Sequence, residues 1–257
     1  MLNIVIPMAG RGSRFQTEGY ALPKPLIPVH STPMIRCVIK NLKPKVPHRF
    51  IFICLKEHIE KFAIDKQLQK WEKDCIIVTV SEVTEGAACT VLLGKKYLNN
   101  DDQLMIANSD QWIDFNINEY LDHLNITGLD GLIMTMTADD PKWSFVKLDK
   151  LNRVSEVAEK KVISNEATVG IYNFIKGSDY VFAAEEMIRK QKYVNGEFYV
   201  APVYNELILL KKEIGIFNIG KEADGMYGLG IPSDLRLFEN LKISRRATEM
   251  PNIDNVG

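Results

Sequence analysis

Two short segments near the N-terminus carry the strongest chemical signal. Pro7-Met8-Ala9-Gly10-Arg11-Gly12-Ser13-Arg14-Phe15 directly follows an apolar strand pattern. Gly10 and Gly12 let the backbone turn tightly and approach a ligand closely. Successive N–H groups in such a turn form a concave anion site suited to phosphate oxygens. Arg11 and Arg14 add fixed positive charge and forked hydrogen-bond donors. The second segment, Pro23-Lys24-Pro25-Leu26-Ile27-Pro28-Val29, begins shortly after Arg14. Pro23 fixes its own φ and Pro25 drives Lys24 into an extended conformation, so a stiff segment presents one ammonium at a set place. Together the two segments suit the gripping of a phosphate-rich anion.

Two familiar phosphate loops do not fit these residues. A Walker loop needs Gly-Lys-Ser or Gly-Lys-Thr, and the chain contains neither. A dinucleotide fingerprint needs a small residue where Phe15 stands, and an acidic residue about 20 positions on at the end of a second strand. Here the second strand pattern ends near Leu55, too late for that arrangement. Two further loops follow strand patterns: Thr84-Glu85-Gly86-Ala87-Ala88, which opens a helix, and Ala107-Asn108-Ser109-Asp110.

The elements that must position these loops alternate along the first half. Strand patterns at Ile4–Met8, Arg49–Leu55, Cys75–Val80 and Gln103–Ala107 are separated by helical patterns near Met34–Leu42, Glu57–Lys70 and Ala87–Tyr97. Short runs rich in Ile, Val and Phe between amphipathic helices predict a mostly parallel sheet covered on both faces. Ligands of such sheets bind beyond the carboxyl ends of the strands, where the glycine loop and Asp110 fall. The second half reads as α+β material on the same sheet. Strand patterns lie at Leu132–Thr137, Ser144–Leu148, Val154–Ala158 and Ala167–Phe174, helices near Ser178–Lys192 and Ala201–Lys211, and a last strand at Ile214–Ile219. The segment 245–257 lacks periodicity and reads as a loose tail.

Composition bounds the function. The 257 residues carry 32 Lys+Arg against 33 Asp+Glu, a formal charge of −1. That balance lacks the basic excess of a general nucleic-acid or anionic-membrane binder, so neither is expected as a partner. No apolar run approaches the roughly 20 residues of a membrane span. The first residues run straight into a strand, without a charged leader, which predicts a cytoplasmic protein. Cys37, Cys54, Cys75 and Cys89 stand singly in apolar runs, and His30, His48, His58 and His123 show no metal-ligand spacing, so zinc and thioredoxin chemistry are not expected. Glu185 and Glu186 lie four residues before Arg189 and Lys190, an ordinary pairing on a helix surface.

Ala9-Gly10-Arg11-Gly12-Ser13-Arg14, then Pro23-Lys24-Pro25-Leu26-Ile27-Pro28-Val29 and Pro33-Met34-Ile35, resembles the nucleoside-triphosphate transferase family over roughly residues 1–240. The resemblance implies a single Rossmann-like α/β domain with a mixed, mostly parallel sheet. A nucleotide half (1–112) and an acceptor half (113–240) are expected within it. It implies that Ala9 and Gly10 approach the nucleotide while Gly12, Ser13 and Arg14 hold its triphosphate. Lys24 would neutralise the α-phosphate and the incoming phosphate, and Arg14 the departing pyrophosphate. Glu85, Gly86 and Ala87 would read the base, with Asn108 also at the nucleotide. Asp110 matches the family's Mg²⁺-holding position. On the acceptor side, Lys160 of Glu159-Lys160 would bind the acceptor phosphate, Gly170 would lie beside the acceptor, and Glu197 would hold its hydroxyls.

One departure stands out. Many relatives end in Trp-x-Asp-x-Gly-Thr-Pro, whose aspartate is a second metal ligand, but here Gly228 occupies that place. Either Asp224 substitutes, or the metal relies on Asp110 and phosphates. The implied reaction is Mg²⁺-dependent transfer of a nucleoside monophosphate from an NTP to a sugar 1-phosphate or another phosphate monoester, with release of pyrophosphate. Arg11-Gly12-Ser13-Arg14-Phe15 looks closest to the cytidylyltransferase-like, capsule-associated branches, which favours CTP and surface-polysaccharide precursors, with GTP or UTP as alternatives. A glycosyltransferase of related fold and a non-catalytic nucleotide-binding domain are the rivals of another class. Homo-oligomerisation stays open.

Overall fold

The computed structural model describes residues 1–249. Its strands are, in chain order, β1 (Leu2–Met8), β2 (Pro28–Val29), β3 (Thr32–Pro33), β4 (His48–Leu55), β5 (Ile76–Val80), β6 (Gln103–Ala107) and β7 (Gln111–Ile113). β8 (Gly131–Thr137), β9 (Ser144–Leu148), β10 (Val154–Glu159), β11 (Glu166–Phe174), β12 (Ile214–Glu222) and β13 (Gly225–Gly228) follow. Eleven of them form one mixed sheet in the order β5-β4-β1-β6-β11-β8-β12-β13-β7, with β9 paired to β10 and β11 off this path. β5, β4, β1 and β6 are all parallel. β11 then runs antiparallel to both β6 and β8. The small pair β2–β3 stands apart and carries the chain from the lysine turn into the helix Met34–Leu42.

Alternation along β1 explains why helices cover both faces. Ile4, Ile6 and Met8 join Phe50 and Phe52 in a core under the helices Met34–Leu42, Ile64–Trp71 and Ile117–Thr127. Val5 joins Ile51 and Ile53 in a second core under Ala87–Leu92, Gly177–Arg189 and Tyr204–Leu209. Successive residues of a strand point to opposite faces, and both sets here are apolar because both faces are buried. None of the described helices is long and apolar enough to cross a membrane.

Three expected helices are shorter or broken. Ala63, at φ 49°, divides the expected Glu57–Lys70 into Lys56–Phe62 and Ile64–Trp71. The expected Ala87–Tyr97 is interrupted at Leu93-Gly94 and resumes as Lys95–Leu98. Pro202 has no N–H to donate, and Ala201–Val203 forms a 3-10 turn before the helix Tyr204–Leu209.

Part of the expected loose tail is ordered. Ile243–Thr248 forms a helix that buries Ser244 and Ala247, and the Arg246 guanidinium stacks over Trp112 at 5.4 Å. Two buried side chains in six residues leave no apolar stripe to read, and tertiary contact supplies the order. The remainder of that expectation, 250–257, lies outside the described residues. β7 straddles the boundary expected between the two halves, and its pairing with β13 ties residues 111–113 to 226–228.

Candidate active site

β1 and β6 are adjacent and parallel, so the loops after them emerge side by side at the carboxyl edge of the sheet. After β1, Gly12 adopts a left-handed conformation at φ 64°, and its carbonyl accepts the Phe15 amide at 3.0 Å. A Cβ at Gly12 would lie 3.0 Å from Lys24 Cβ, so the turn packs closely against the lysine segment. Pro23 is extended, with φ −63° and ψ 144°, but Lys24, expected to be extended before Pro25, instead opens a 3-10 turn over Lys24–Leu26 that the Leu26 amide closes on the Pro23 carbonyl at 2.8 Å. Lys24 Nζ donates to Asp110 Oδ2 at 2.8 Å. The sequence-predicted cation and carboxylate are therefore brought into direct contact from loops 86 residues apart.

Three neighbouring cavities adjoin one another here, two of them bordered by Lys24. The largest of these three, about 500 Å³, is bordered by Gly12, Ser13, Arg14, Lys24, Asn108 and Asp110. A second, about 350 Å³, is bordered by Ala9, Gly10, Lys24, Gly86, Ala87 and Glu197. Lys24 thus stands on the wall common to both. A third, about 210 Å³, shares Ala87 with the second and Asn108 with the first, and adds Gly170 and Glu159.

The Thr84–Ala87 loop has a geometry only glycine permits. Gly86 has φ 128° and ψ 173°, and a Cβ there would lie 2.5 Å from the Phe198 carbonyl oxygen. Phe198 donates its amide to the Glu85 carbonyl at 2.8 Å and accepts from the Ala88 amide at 3.0 Å. Thr90 Oγ1 caps the Gly86 carbonyl at 3.1 Å. Gly86 and Ala87 line the second cavity. Glu85 does not border it, and its described contribution is this backbone anchor.

On the far side, Gly170 has φ 81° within an irregular stretch of β11. A Cβ there would strike the Asn108 side chain and lie 2.5 Å from Gln111 Oε1. The missing side chain is what lets both amides stand in the cleft, and Gln111 is itself buried with its Nε2 unpartnered. Lys160 sits at φ 53°, donates from Nζ to Tyr199 Oη at 2.7 Å, and borders the largest cavity. That hydrogen bond raises the lysine's pKa, so it stays charged. The preceding Glu159 is buried, accepts a hydrogen bond from Ser144 Oγ, and has its pKa pushed up mainly by burial. Glu197 is exposed and borders the second cavity, beside Gly10 and Gly86, rather than the third.

Asp224 is the expected site residue that the structure separates from the rest. It lies in the turn between β12 and β13, three-quarters exposed, with Oδ2 3.7 Å from Lys221 Nζ, and it borders none of the three cavities. The turn itself is tight: a Cβ on Gly220 would lie 2.5 Å from the Asp224 carbonyl oxygen. Asp234, which the sequence reading passed over, borders the largest cavity instead. Its Oδ2 lies 3.4 Å from where a Cβ on Gly228 would stand, so its carboxylate fills the space that glycine leaves open. Pro232 at the first helical position, with Asp234 itself in the first turn, was the available sign of a helix start there. Burial, with Glu222 nearby, raises the Asp234 pKa, against the pull of Lys142 and Arg14. Lys142 was also missed, and it borders both the largest and the third cavities. Among the described residues, no group of three or more His, Cys, Asp or Glu side chains comes together as a metal cage.

Comparison with known proteins agrees with this architecture. The Nucleotidyl transferase family description matches residues 4–198. The bifunctional protein GlmU of Methanococcus vannielii is 27% identical over 249 residues, which cover 93% of this chain and 54% of that protein. The GlmU protein of Methanocaldococcus jannaschii is 24% identical over 84% of this chain and 49% of its own length. The chain therefore spans about half the length of these curated relatives. The crystal structure of a nucleoside-diphosphate-sugar pyrophosphorylase from Vibrio cholerae RC9 superposes with a TM-score of 0.79 at 26% identity, covering 93% of this chain and all of that one. The inositol-1-phosphate CTP transferase of T. maritima shares the fold, with a TM-score of 0.69 at 14% identity over 95% of this chain and 94% of its own. With the family description spanning most of the chain and a glycine loop, Lys24 and Asp110 converging at one sheet edge, this protein belongs to the nucleotidyl transferase family of enzymes.

Proposed function

We propose that the chain transfers a nucleoside monophosphate from an NTP to a phosphate monoester, a sugar 1-phosphate or a related small molecule, and releases pyrophosphate. The observation that carries this reading is Lys24, set on the wall between two cavities and held 2.8 Å from Asp110. A cation there can touch both the α-phosphate of a nucleotide and the phosphate that attacks it.

The second pKa of a phosphate monoester is roughly 6, so the acceptor is largely dianionic at neutral pH and needs no general base. An acceptor oxygen attacks the α-phosphorus in line as the bond to the β-phosphate oxygen breaks, and the electron pair leaves with pyrophosphate. The remaining task is to bring two polyanions together and stabilise the charge on the leaving group. Arg14 and the Gly12-Ser13 backbone hold the triphosphate, Lys24 the α-phosphate, and Lys160 the acceptor. Ala9, Gly10 and the Gly86-Ala87 loop enclose the nucleoside.

Asp110 and Asp234 offer hard carboxylate oxygens beside the phosphate positions, a donor set that fits Mg²⁺ completed by phosphates and water. When bound there, Mg²⁺ supplies Lewis-acid stabilisation of phosphate oxygens. Asp234 replaces Asp224 as the second carboxylate in this reading, because it alone of the two borders the cleft. The choice of CTP rests on Arg11-Gly12-Ser13-Arg14-Phe15, with GTP and UTP as alternatives. A surface-polysaccharide precursor is the product that reading implies, made in the cytoplasm where NTPs are available.

The test is pyrophosphate release with Mg²⁺ across the four NTPs, each with a panel of sugar 1-phosphates and small phosphorylated metabolites. Release that requires one NTP and one acceptor together supports the transferase and names both substrates. Tight NTP binding with no release across the panel refutes catalysis on these acceptors, and product formed only from a nucleotide-sugar donor assigns the chain to glycosyl transfer.

A further inference from the structure

We infer that Lys142 is an acceptor-anion ligand which Glu222 holds out of the way until the acceptor arrives. This deepens, and rests on, the transferase reading above. Lys142 lies in the loop between β8 and β9, and its backbone amide donates to Asp140 Oδ1 at 2.9 Å, which fixes the turn. Its Nζ lies 2.8 and 3.2 Å from the two Glu222 carboxylate oxygens, 3.7 Å from Asp140 Oδ2, and 4.8 Å from the centre of the Trp143 ring. Lys142 and Trp143 both border the largest cavity and the third one, so the pair stands where the phosphate cleft opens into the acceptor pocket. The next carbonyl along, that of Trp143, accepts the Lys160 amide at 3.1 Å, which locks the two lysine-bearing loops together.

The partner of Lys142 explains why the site is not empty of counter-charge. Glu222 reaches it from β12, outside the third cavity, and both ends of this ion pair are about two-fifths exposed. An ion pair that open to water holds its lysine only weakly. A phosphate dianion inside the cleft carries about twice the charge of a carboxylate and so attracts the same ammonium more strongly. The flexible four-carbon stem of a lysine lets the ammonium exchange one partner for the other without movement of the backbone. In its Glu222-paired position the ammonium already lies over the Trp143 ring, at the border of the cleft. The chemical class recognised is an anionic oxygen of the acceptor, either its phosphate or a carboxylate elsewhere on it.

Calorimetric titration of the full chain with inorganic phosphate and with glucose 1-phosphate tests this, in the wild type and in the Lys142→Met, Lys142→Arg and Glu222→Gln variants. Lys142→Met should weaken both by about tenfold or more, as expected for one charge-assisted hydrogen bond. Its melting temperature should stay at the wild-type value. Lys142→Arg should restore most of the affinity, and Glu222→Gln should bind as tightly as the wild type or more so, because the competing carboxylate is gone. Unchanged binding in Lys142→Met, an equal loss in Glu222→Gln, or a wild type that binds neither anion overturns the inference. Acetate as a third titrant separates a carboxylate ligand from a phosphate ligand. Pyrophosphate release by the wild type is scored separately. A chain that never releases pyrophosphate, yet loses phosphate affinity through Lys142→Met, refutes the transferase while keeping this anion ligand.

Discussion

Gly86→Ala should unseat the loop that closes the second cavity. Gly86 occupies φ 128° and ψ 173°, a region essentially closed to residues with a Cβ. Holding alanine there costs about 1–3 kcal/mol. The new methyl would also lie 2.5 Å from the Phe198 carbonyl oxygen and 2.6 Å from its nitrogen. These are backbone atoms, and they cannot rotate aside as the end of a side chain can. Relief requires separating the two segments, which breaks the Phe198-to-Glu85 and Ala88-to-Phe198 hydrogen bonds. Each contributes about 1 kcal/mol net, so strain and lost bonds together give a destabilisation of about 3–5 kcal/mol. Urea unfolding measures this as a lower midpoint, and hydrogen exchange should show the Ala88 and Phe198 amides opening first. Gly10→Ala serves as the control, since nothing lies within 4 Å of its would-be Cβ. A Gly86→Ala destabilisation under about 1 kcal/mol, equal to that of the control, would refute the claim that this loop is built on glycine-only geometry.

Other consequences are equally direct. Lys24→Ala and Arg14→Ala should each lower turnover by about a hundredfold or more, the scale of a lost transition-state charge contact, while the melting temperature moves by only a few degrees. Steady-state pyrophosphate release with thermal melting checks both. Asp234→Asn should raise the Mg²⁺ concentration needed for half-maximal rate, whereas Asp224→Asn, at an exposed turn, should not; a matched Mg²⁺ titration distinguishes them. Glu206 is 3% exposed and accepts from Lys190 and Lys192 at 2.5 and 2.6 Å. Burial alone would raise its pKa, but the two lysines outweigh that and the net shift is downward. A lowered folded-state pKa means the unfolded chain binds the proton more readily. The stabilisation is therefore complete above the unfolded value of about 4.3 and disappears as pH falls through the lower folded value. The stability gap between wild type and Glu206→Gln should thus be widest near neutral pH and shrink in acid; a gap independent of pH in urea unfolding contradicts the pairing.

The core strands were legible because each is a short apolar run with turn residues on either side. β6 and β9, and the helix Met34–Leu42, fall on the expected residues. The break at Ala63 was not legible, since alanine is an excellent helix former and nothing beside it in the chain signals a φ of 49°; that at Leu93-Gly94 had a sign in Gly94, a residue that often ends a helix. Ile243–Thr248 was missed for a related reason. A six-residue helix draws its stability from docking against the helix Met34–Leu42 and Trp112, with too few residues to display a period.

At the site, the sequence alone singled out the groups that converge at the carboxyl edge of β1 and β6. The glycine turn, Lys24 between its prolines, and Asp110 at a strand end are local patterns, because backbone restriction and strand-end position are properties of neighbours in the chain. What only the tertiary structure decided is which distant groups share the cleft with them. Asp234 and Lys142 enter from segments about 120 and 30 residues beyond Asp110, and a carboxylate at a helix start or a lysine in a loop looks the same in sequence whether it faces solvent or a ligand. Asp224 stands apart from the cleft for the converse reason. It is near the right place in the chain, yet in the β12–β13 turn its carboxylate is exposed and lies 3.7 Å from Lys221 Nζ. Glycine again marks the difference: Gly228, Gly230 and Gly170 open space for Asp234, Asp110, Asn108 and Gln111, and the identity of the side chain that fills such a space is fixed by packing across the fold rather than by the residues beside it.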